Sequence, residues 1–431
     1  MVQSVSSLAP GVSFLSIPDD RFKTSRLTAA LFLPLREETA AAYALLPALL
    51  TRSCARFPTM AALGHELARL YGARISGDLC RLGDQQVLLF TAVSIDDRYA
   101  LRGEPVMDQC AQLLLSMLFE PVLENGVFRQ EDVEQERRCL LEEIEAEIND
   151  KRRLARRRCL KMLYRGDAGA LDLLGTKEQV QALTAEQVTA AWREALDTAR
   201  IQWICQGSAD GQDTARTIGA RFADRQRTPI ELATRTAFDP PAEIEVDEDT
   251  MPVNQSKLVL GFRVGIAEPD PRIMAARLMN ALLGGTPHSL LFRHVREEKS
   301  LCYYCASSYD RLKGSLLVDS GVEAARAQEA RTEIARQLEA IRRGHFTDEE
   351  LESARRSVAN QFREVDDLQS SREGWYLGQS MGSELLEPEE AIRRLATVTR
   401  EEVQEAARLV TPVCVYLLRA ADTGEKEGTH A

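Results

Sequence analysis

The sequence predicts an α+β protein of two duplicated domains, each an antiparallel sheet covered by helices, and three observations lead there. The chain has 431 residues; at about 150 residues per domain, that is enough for two or three domains with cores of their own. Its 44% hydrophobic and 28% charged residues have the balance of a packed, water-soluble body and are too apolar for general disorder. The order strand, helix, helix, strand, strand, helices, strand occurs twice, on either side of a proline-rich acidic stretch.

In the first domain, residues 1–220, apolar runs predict strands at Val12 to Ile17 and Leu27 to Leu35, followed by an Ala/Leu-rich helix from Glu38 to Arg52. A second helix starts after Pro58 with Thr59 as N-cap and runs to Tyr71, where Gly72 stops it. Strands at Arg74 to Cys80 and Gln86 to Ile95 are joined by a turn at Gly83-Asp84. Glu104 to Phe119 reads as an amphipathic helix, and Glu131 to about Arg165 as a single very long charged one. A helix from Ala185 to Leu196 and a strand from Arg200 to Gln206 close the domain.

Residues 221–254 have linker composition, with Pro229, Pro240, Pro241, Pro252 and the acidic run Glu243 to Asp249. The second domain, 255–431, opens with a strand from Lys257 to Val264. A helix follows from Pro271, capped by Asp270, with Met274, Leu278 and Leu282 in i, i+4 register. Gly284-Gly285 ends it, and Thr286-Pro287 reads as N-cap and first position of the next helix, which runs to about Glu298. Strands at Leu301 to Tyr309 and Ser315 to Val322 precede helices at Ala324 to Arg343, Thr347 to about Asp367 and Arg400 to Leu409, and a last strand at Val413 to Leu418.

Charge and cysteine usage narrow the function classes. The 54 Lys+Arg against 66 Asp+Glu give a net charge of -12, opposing the positive field that nucleic-acid backbones require, so no nucleic-acid partner is expected. No apolar run approaches the roughly 18 residues of a membrane span. The N-terminus lacks a basic region followed by an apolar stretch, so no membrane partner and a cytoplasmic location are expected. The nine scattered cysteines suit a reducing compartment. Cys302 and Cys305 have redox-motif spacing, but on a strand an odd separation sends side chains to opposite faces, so no bridge between them is expected. The run Lys151 to Arg158, six basic residues in eight, reads as a solvated helix face or as a patch for an acidic partner.

The strongest local signal runs from Leu282 to Tyr303: the Gly284-Gly285 pair, a short helix ending in Val295-Arg296-Glu297-Glu298-Lys299, and Tyr303 seven residues after Arg296. With Leu258-Val259-Leu260-Gly261-Phe262 and Glu136-Arg137-Arg138-Cys139-Leu140-Leu141-Glu142-Glu143-Ile144, it resembles the insulinase/pitrilysin-type zinc peptidases along nearly the whole chain. The resemblance implies that Arg296 and Tyr303 reach toward a bound peptide and steady its developing oxyanion, and that Gly284 and Gly285 adjoin the substrate. The chemistry suits those roles: Arg is charged at any working pH and offers a planar fork of donors, and a phenol is a neutral donor that sits beside it without repulsion.

The family's metal motif is absent. H-x-x-E-H places two imidazoles four residues apart to bind zinc, with the Glu as general base. Here the histidines are at 65, 288, 294, 345 and 430, and no two are four apart. His65-Glu66 is followed by Arg69 where the second His belongs. By element order the motif falls on the helix around Tyr43 to Leu50, with Ala44, Pro47 and Ala48 at the ligand and base positions. Glu142 or Glu143 matches the family's downstream ligand but has no imidazoles to share a metal with, and the six-residue spacing of His288 and His294 does not put them on one helical face. No metal site is expected.

Within the family the chain most resembles YfmF-like proteins associated with aminopentanol modification of elongation factor P. The resemblance implies a half clamshell, inactive alone, that lends Arg296 and Tyr303 in trans to a zinc-bearing paralogous subunit acting on a peptide, with a homodimer possible in isolation. The zinc would belong to the partner. The alternative is a scaffold or core-type subunit with no role in proteolysis.

Overall fold

The computed structural model describes residues 6–233, 237–239, 243–380, 382 and 384–421, so Pro240, Pro241 and His430 lie outside the described residues. In the first half, β1 (Ser6–Ala9), β2 (Val12–Pro18) and β3 (Thr24–Pro34) lead into helices α1 (Ala40–Arg52) and α2 (Met60–Arg69), then β4 (Arg74–Leu82) and β5 (Gln85–Ile95). Helix α3 (Val106–Phe119) precedes a small hairpin of β6 (Leu123–Glu124) and β7 (Val127–Phe128). Then follow α4 (Gln130–Ala146), α5 (Lys151–Leu163), α6 (Lys177–Ala182), α7 (Ala185–Thr198), β8 (Arg200–Gly207) and α8 (Gln212–Phe222).

The second half opens with β9 (Glu245–Met251) and β10 (Ser256–Arg263), then α9 (Ile273–Asn280), β11 (Cys302–Asp310) and β12 (Ser315–Val322). It continues through α10 (Ala327–Arg342), α11 (Asp348–Glu364), α12 (Gln369–Leu377), α13 (Pro388–Thr397), α14 (Arg400–Leu409) and β13 (Thr411–Ala420).

The duplication is written in the topology. The first sheet has the order β1-β2-β8-β3-β5-β4 and the second β9-β13-β10-β12-β11. Without β1, each runs first strand, last strand, second strand, then a swapped hairpin. The sheets are mixed, not purely antiparallel as expected, because the first strand of each half lies parallel to its last: β2 beside β8 and β9 beside β13. All other pairs are antiparallel.

Three sequence expectations are corrected. The long charged helix from Glu131 breaks at Glu147–Asn149, and Asp150 restarts it as N-cap of α5, accepting from the Arg153 N–H at 2.9 Å. The acidic stretch read as linker contains β9, an edge strand; its side chains are largely exposed, and charge there discourages pairing with another chain. The compact units are not the linear halves. One comprises Met1–Glu145, Leu171–Ala233 and Gln369–Gly378; the other Ala146–Ala170, Thr234–Leu368 and Gln379–Ala431.

Each unit therefore covers one sheet face with a helix drawn from the opposite half of the chain. In the first, Leu27, Ala29, Leu31 and Leu33 of β3 face the apolar core with α1, α3 and α7. Residues of the other parity meet α12: Arg26 donates to both Glu373 oxygens at 2.5 and 3.1 Å, and the Thr28 hydroxyl donates to Glu373 at 2.6 Å. In the second unit, α5 lays Ala155, Cys159 and Met162 on Val259, Cys414 and Tyr416. Gly261 makes that approach possible, since a Cβ there would come 3.2 Å from Leu163 Cδ1 and 3.4 Å from Cys159 Sγ of α5.

Candidate functional site

The segment from Asn280 to Tyr303 is built from two widened helical turns and a bulged strand. Helix α9 opens into a π-helical turn, Ala281–Gly285, that lies against β11. A Cβ on Gly284 would stand 2.8 Å from Ser307 N, and one on Gly285 2.7 Å from Asn280 Nδ2, so close packing accounts for both glycines. Thr286, expected to cap the next helix, instead donates its hydroxyl back to the Ala281 carbonyl at 3.2 Å, because the widened turn leaves that oxygen in need of a donor.

The second π-helical stretch, Leu291–Glu298, buries Leu291 and Val295 and ties Arg293 to Glu350 of α11. Arg296 is left half-exposed, its guanidinium 4.7 Å from the Phe292 ring centroid and its Nε 3.4 Å from Glu297. The chain then reverses sharply. Ser300 adopts a left-handed φ of 49°, and the Leu301 N–H donates to the Val295 carbonyl at 2.9 Å. Arg326 clamps the turn from outside, donating to the Ser300 and Lys299 carbonyls at 2.7 and 3.1 Å, while Lys299 pairs with buried Glu333 at 2.5 Å. Such widened turns often mark functional sites.

Strand β11 begins with a bulge. Cys302 pairs with Val322 and Tyr304 with Gly321, so Tyr303 has no place in the ladder and stands 76% exposed. Past the bulge, Ser307 faces Asn280, and Tyr304 and Ser308 face Arg152 and Arg156 of α5. The extra residue also shifts parity, which corrects the expectation for the cysteines: Cys302 and Cys305 lie opposite Val322 and Ser320, two ladder positions apart and so on one side of the strand. The Cys305 thiol does most to push the Cys302 thiol down, against partial burial and with help from Ser320, Arg296 and Arg326, to about 7. The charge of Arg296 thus reaches the residue preceding Tyr303, and the two expected site residues flank one pinned turn. A guanidinium and a phenol, neither packed into the core, are each donors of the kind that suits an oxygen gaining negative charge.

Comparison with known proteins supplies the deciding observation. A family description, Peptidase M16 inactive domain, matches residues 182–358. The "Probable inactive metalloprotease YmfF" of Bacillus subtilis is 29% identical over 98% of this chain and 99% of its own. The chain is similar to M16 peptidases along nearly its whole length. A conserved protein of Enterococcus faecalis superposes at TM-score 0.91 with 25% identity, covering 98% of this chain and 99% of its own. An M16 inactive domain from Pseudomonas fluorescens superposes at 0.78 with 18% identity, covering 97% and 98%. The subgroup expected from the sequence is matched under the name YmfF.

The positions expected to bear a metal motif cannot hold one. Ala44, Pro47 and Ala48 lie on α1, and their side chains offer no donor atoms. Pro47 is buried, and β4 passes so close to its backbone that a Cβ on Gly77 would come 2.3 Å from the Pro47 carbonyl oxygen. Glu142 and Glu143 are exposed on α4. His65, His288 and His345 are exposed, and His294 Nδ1 lies 2.7 Å from Glu298. Among the described residues no three His, Cys, Asp or Glu side chains converge to hold a metal ion.

The basic run on α5 is largely neutralised within its own unit. Arg152 and Arg156 each donate to buried Asp319 at 2.5 Å, and Arg157 pairs with Glu147 at 2.6 Å. Arg152 also stacks 4.3 Å from the Tyr304 ring centroid. Asp319 carried no signal in the sequence, because a lone Asp in an apolar strand shows its role only once α5 is placed over it.

Proposed function

We propose that this chain is the zinc-less subunit of a two-subunit cytoplasmic peptidase and acts by lending Arg296 and Tyr303 to a peptide held at a zinc-bearing paralogous partner. The observation that carries the reading is the exposed phenol of Tyr303, lifted out of the ladder by a bulge and set across a pinned turn from Arg296. An aromatic ring so exposed contributes little packing, and a bulge that re-aims a side chain is a feature of functional strand ends. The metal would be the partner's; this chain's part is to donate hydrogen bonds to the peptide carbonyl oxygen, more strongly as it becomes an oxyanion. Gly284 lets β11 lie close to the π-helical turn and Gly285 makes room for Asn280 within it, and the pair so shape the substrate's approach. The free cysteines suit a reducing compartment.

Reconstitution tests this reading. A zinc-bearing paralogue co-purified from the native cell should cleave an unstructured peptide faster with this chain than without it. Arg296→Ala or Tyr303→Phe should each lower the rate by about 10²- to 10³-fold, the usual cost of one oxyanion donor. Acceleration that survives both substitutions rejects the catalytic role; a stable complex with no acceleration identifies a scaffold subunit. Size-exclusion chromatography of the chain alone reads out self-association.

A further inference from the structure

The same bulge has a second chemical consequence, independent of any peptide. In a regular strand, residues three apart are about 10 Å from one another, outside disulfide range. Here Tyr303 is looped out, so Cys302 and Cys305 lie opposite Val322 and Ser320, only two ladder positions apart. Two strand steps are about 6.6 Å, inside the Cα separation of about 4.4–6.8 Å that disulfides span. Cys302 is partly exposed and Cys305 is buried beneath it.

The surroundings favour an attacking thiolate at Cys302. Arg296 approaches from the π-helical stretch, Arg326 from the short helix after β12, and the Ser320 hydroxyl from β12 itself; the Asp319 carboxylate acts on Cys305. Arg326 is fixed by its two bonds to the Lys299 and Ser300 carbonyls, so its charge is held beside the start of β11. The other thiols differ. Burial pushes Cys80 and Cys110 up to about 11 and Cys205 up to about 12. Cys159 and Cys414 are 3.5 Å apart but fully buried, and the Cys414 thiol and burial together push Cys159 up.

We propose that Cys302 and Cys305 form a redox-active dithiol that oxidises to an intramolecular disulfide by exchange with low-molecular-weight disulfides, Cys302 attacking and Cys305 resolving. The Cys302 thiolate attacks one sulfur of the small disulfide and expels its other half as a thiolate, leaving a mixed disulfide on Cys302. Cys305 then gives up its proton and attacks Cys302 Sγ, expelling the second small thiolate. Two electrons pass from the protein pair to the small disulfide, which leaves as two thiols. Because Tyr303 lies inside the ring that closes, its backbone is drawn into the new linkage.

Oxidised glutathione and mass spectrometry of the intact full-length protein test this with no peptidase readout, so the outcome does not depend on the proposed partner. The native protein should lose two hydrogens, mapped to a Cys302–Cys305 link, and retain no adduct there, while Cys159 and Cys414 stay reduced. Cys305→Ser should accumulate the glutathione adduct on Cys302, and Cys302→Ser should form neither product at this site. Iodoacetamide at pH 7 should alkylate Cys302 about threefold faster than exposed Cys139, the balance expected between more thiolate and lower intrinsic nucleophilicity. Native protein that stops at the mixed disulfide, or that reacts at Cys139 while Cys302 stays untouched, overturns the proposal.

Discussion

Asp96 illustrates how a buried charge is accommodated at the scale of one residue. It is 1% exposed and accepts from Ser208 N at 2.8 Å, Ser208 Oγ at 2.6 Å, Ser25 Oγ at 2.9 Å and Arg98 Nε at 2.9 Å. Burial alone would raise its pKa, but these hydrogen bonds together outweigh it and hold the carboxyl well below the usual carboxylate range. A group whose folded pKa is depressed contributes stability fully above its unfolded value, about 3.9, and loses that contribution as pH falls toward the folded one. Asp96→Asn should therefore cost about 2 kcal/mol at pH 7, and the deficit should shrink as pH drops below about 4. Urea denaturation at pH 7 and pH 3 measures it; an equal deficit at both values would mean that the charge plays no part.

Among the elements, three of the four helix starts with reciprocal caps fall where the sequence reading put them, and the short α6 after Thr176 was not read. Thr176, Thr184, Thr347 and Thr399 each accept from the third helical N–H, and the Gln or Glu at that position reaches back. Thr347 also sits beside the site's support, since its partner Glu350 holds Arg293 of the π-helical stretch. Thr347→Ala should lower stability by about 1 kcal/mol, read from the denaturation midpoint, with the m-value unchanged. The largely buried strands β2, β3, β5, β10 and β12, each a mostly apolar run, were equally readable. The break at Asp150 was not, because no Gly or Pro marks it and i, i+4 charge pairs continue across it. Strand β9 was hidden by its acid content, and α12 by a short, polar sequence whose apolar face is narrow. Arg296 and Tyr303 could be picked out by motif, but the bulge between Cys302 and Tyr304 could not. One inserted residue changes no local composition; it exists only in the register against β12.

At the scale of the molecule, the order of elements revealed the duplication, but nothing in either half announced that α5 and α12 would trade places. The exchange makes a definite prediction. A chain ending at Ala233 keeps every strand of the first sheet yet lacks α12, which supplies Glu373 to Arg26 and Thr28, Arg372 to Asp19, and Gln369 to Gln206. Arg26 is only 21% exposed and Glu373 7%, so losing the carboxylate strands a largely buried cation, a change that costs about 3 kcal/mol or more. The polar face of β3, β5 and β8 would at the same time be opened to water. Residues 1–233 alone should therefore lose amide protection along β3 and β8, and full-length Glu373→Ala should lose part of that protection at the same strands. If instead the truncated chain unfolds cooperatively at the full protein's temperature with β3 still protected, α12 contributes nothing to the first sheet and the linear halves are the true folding units.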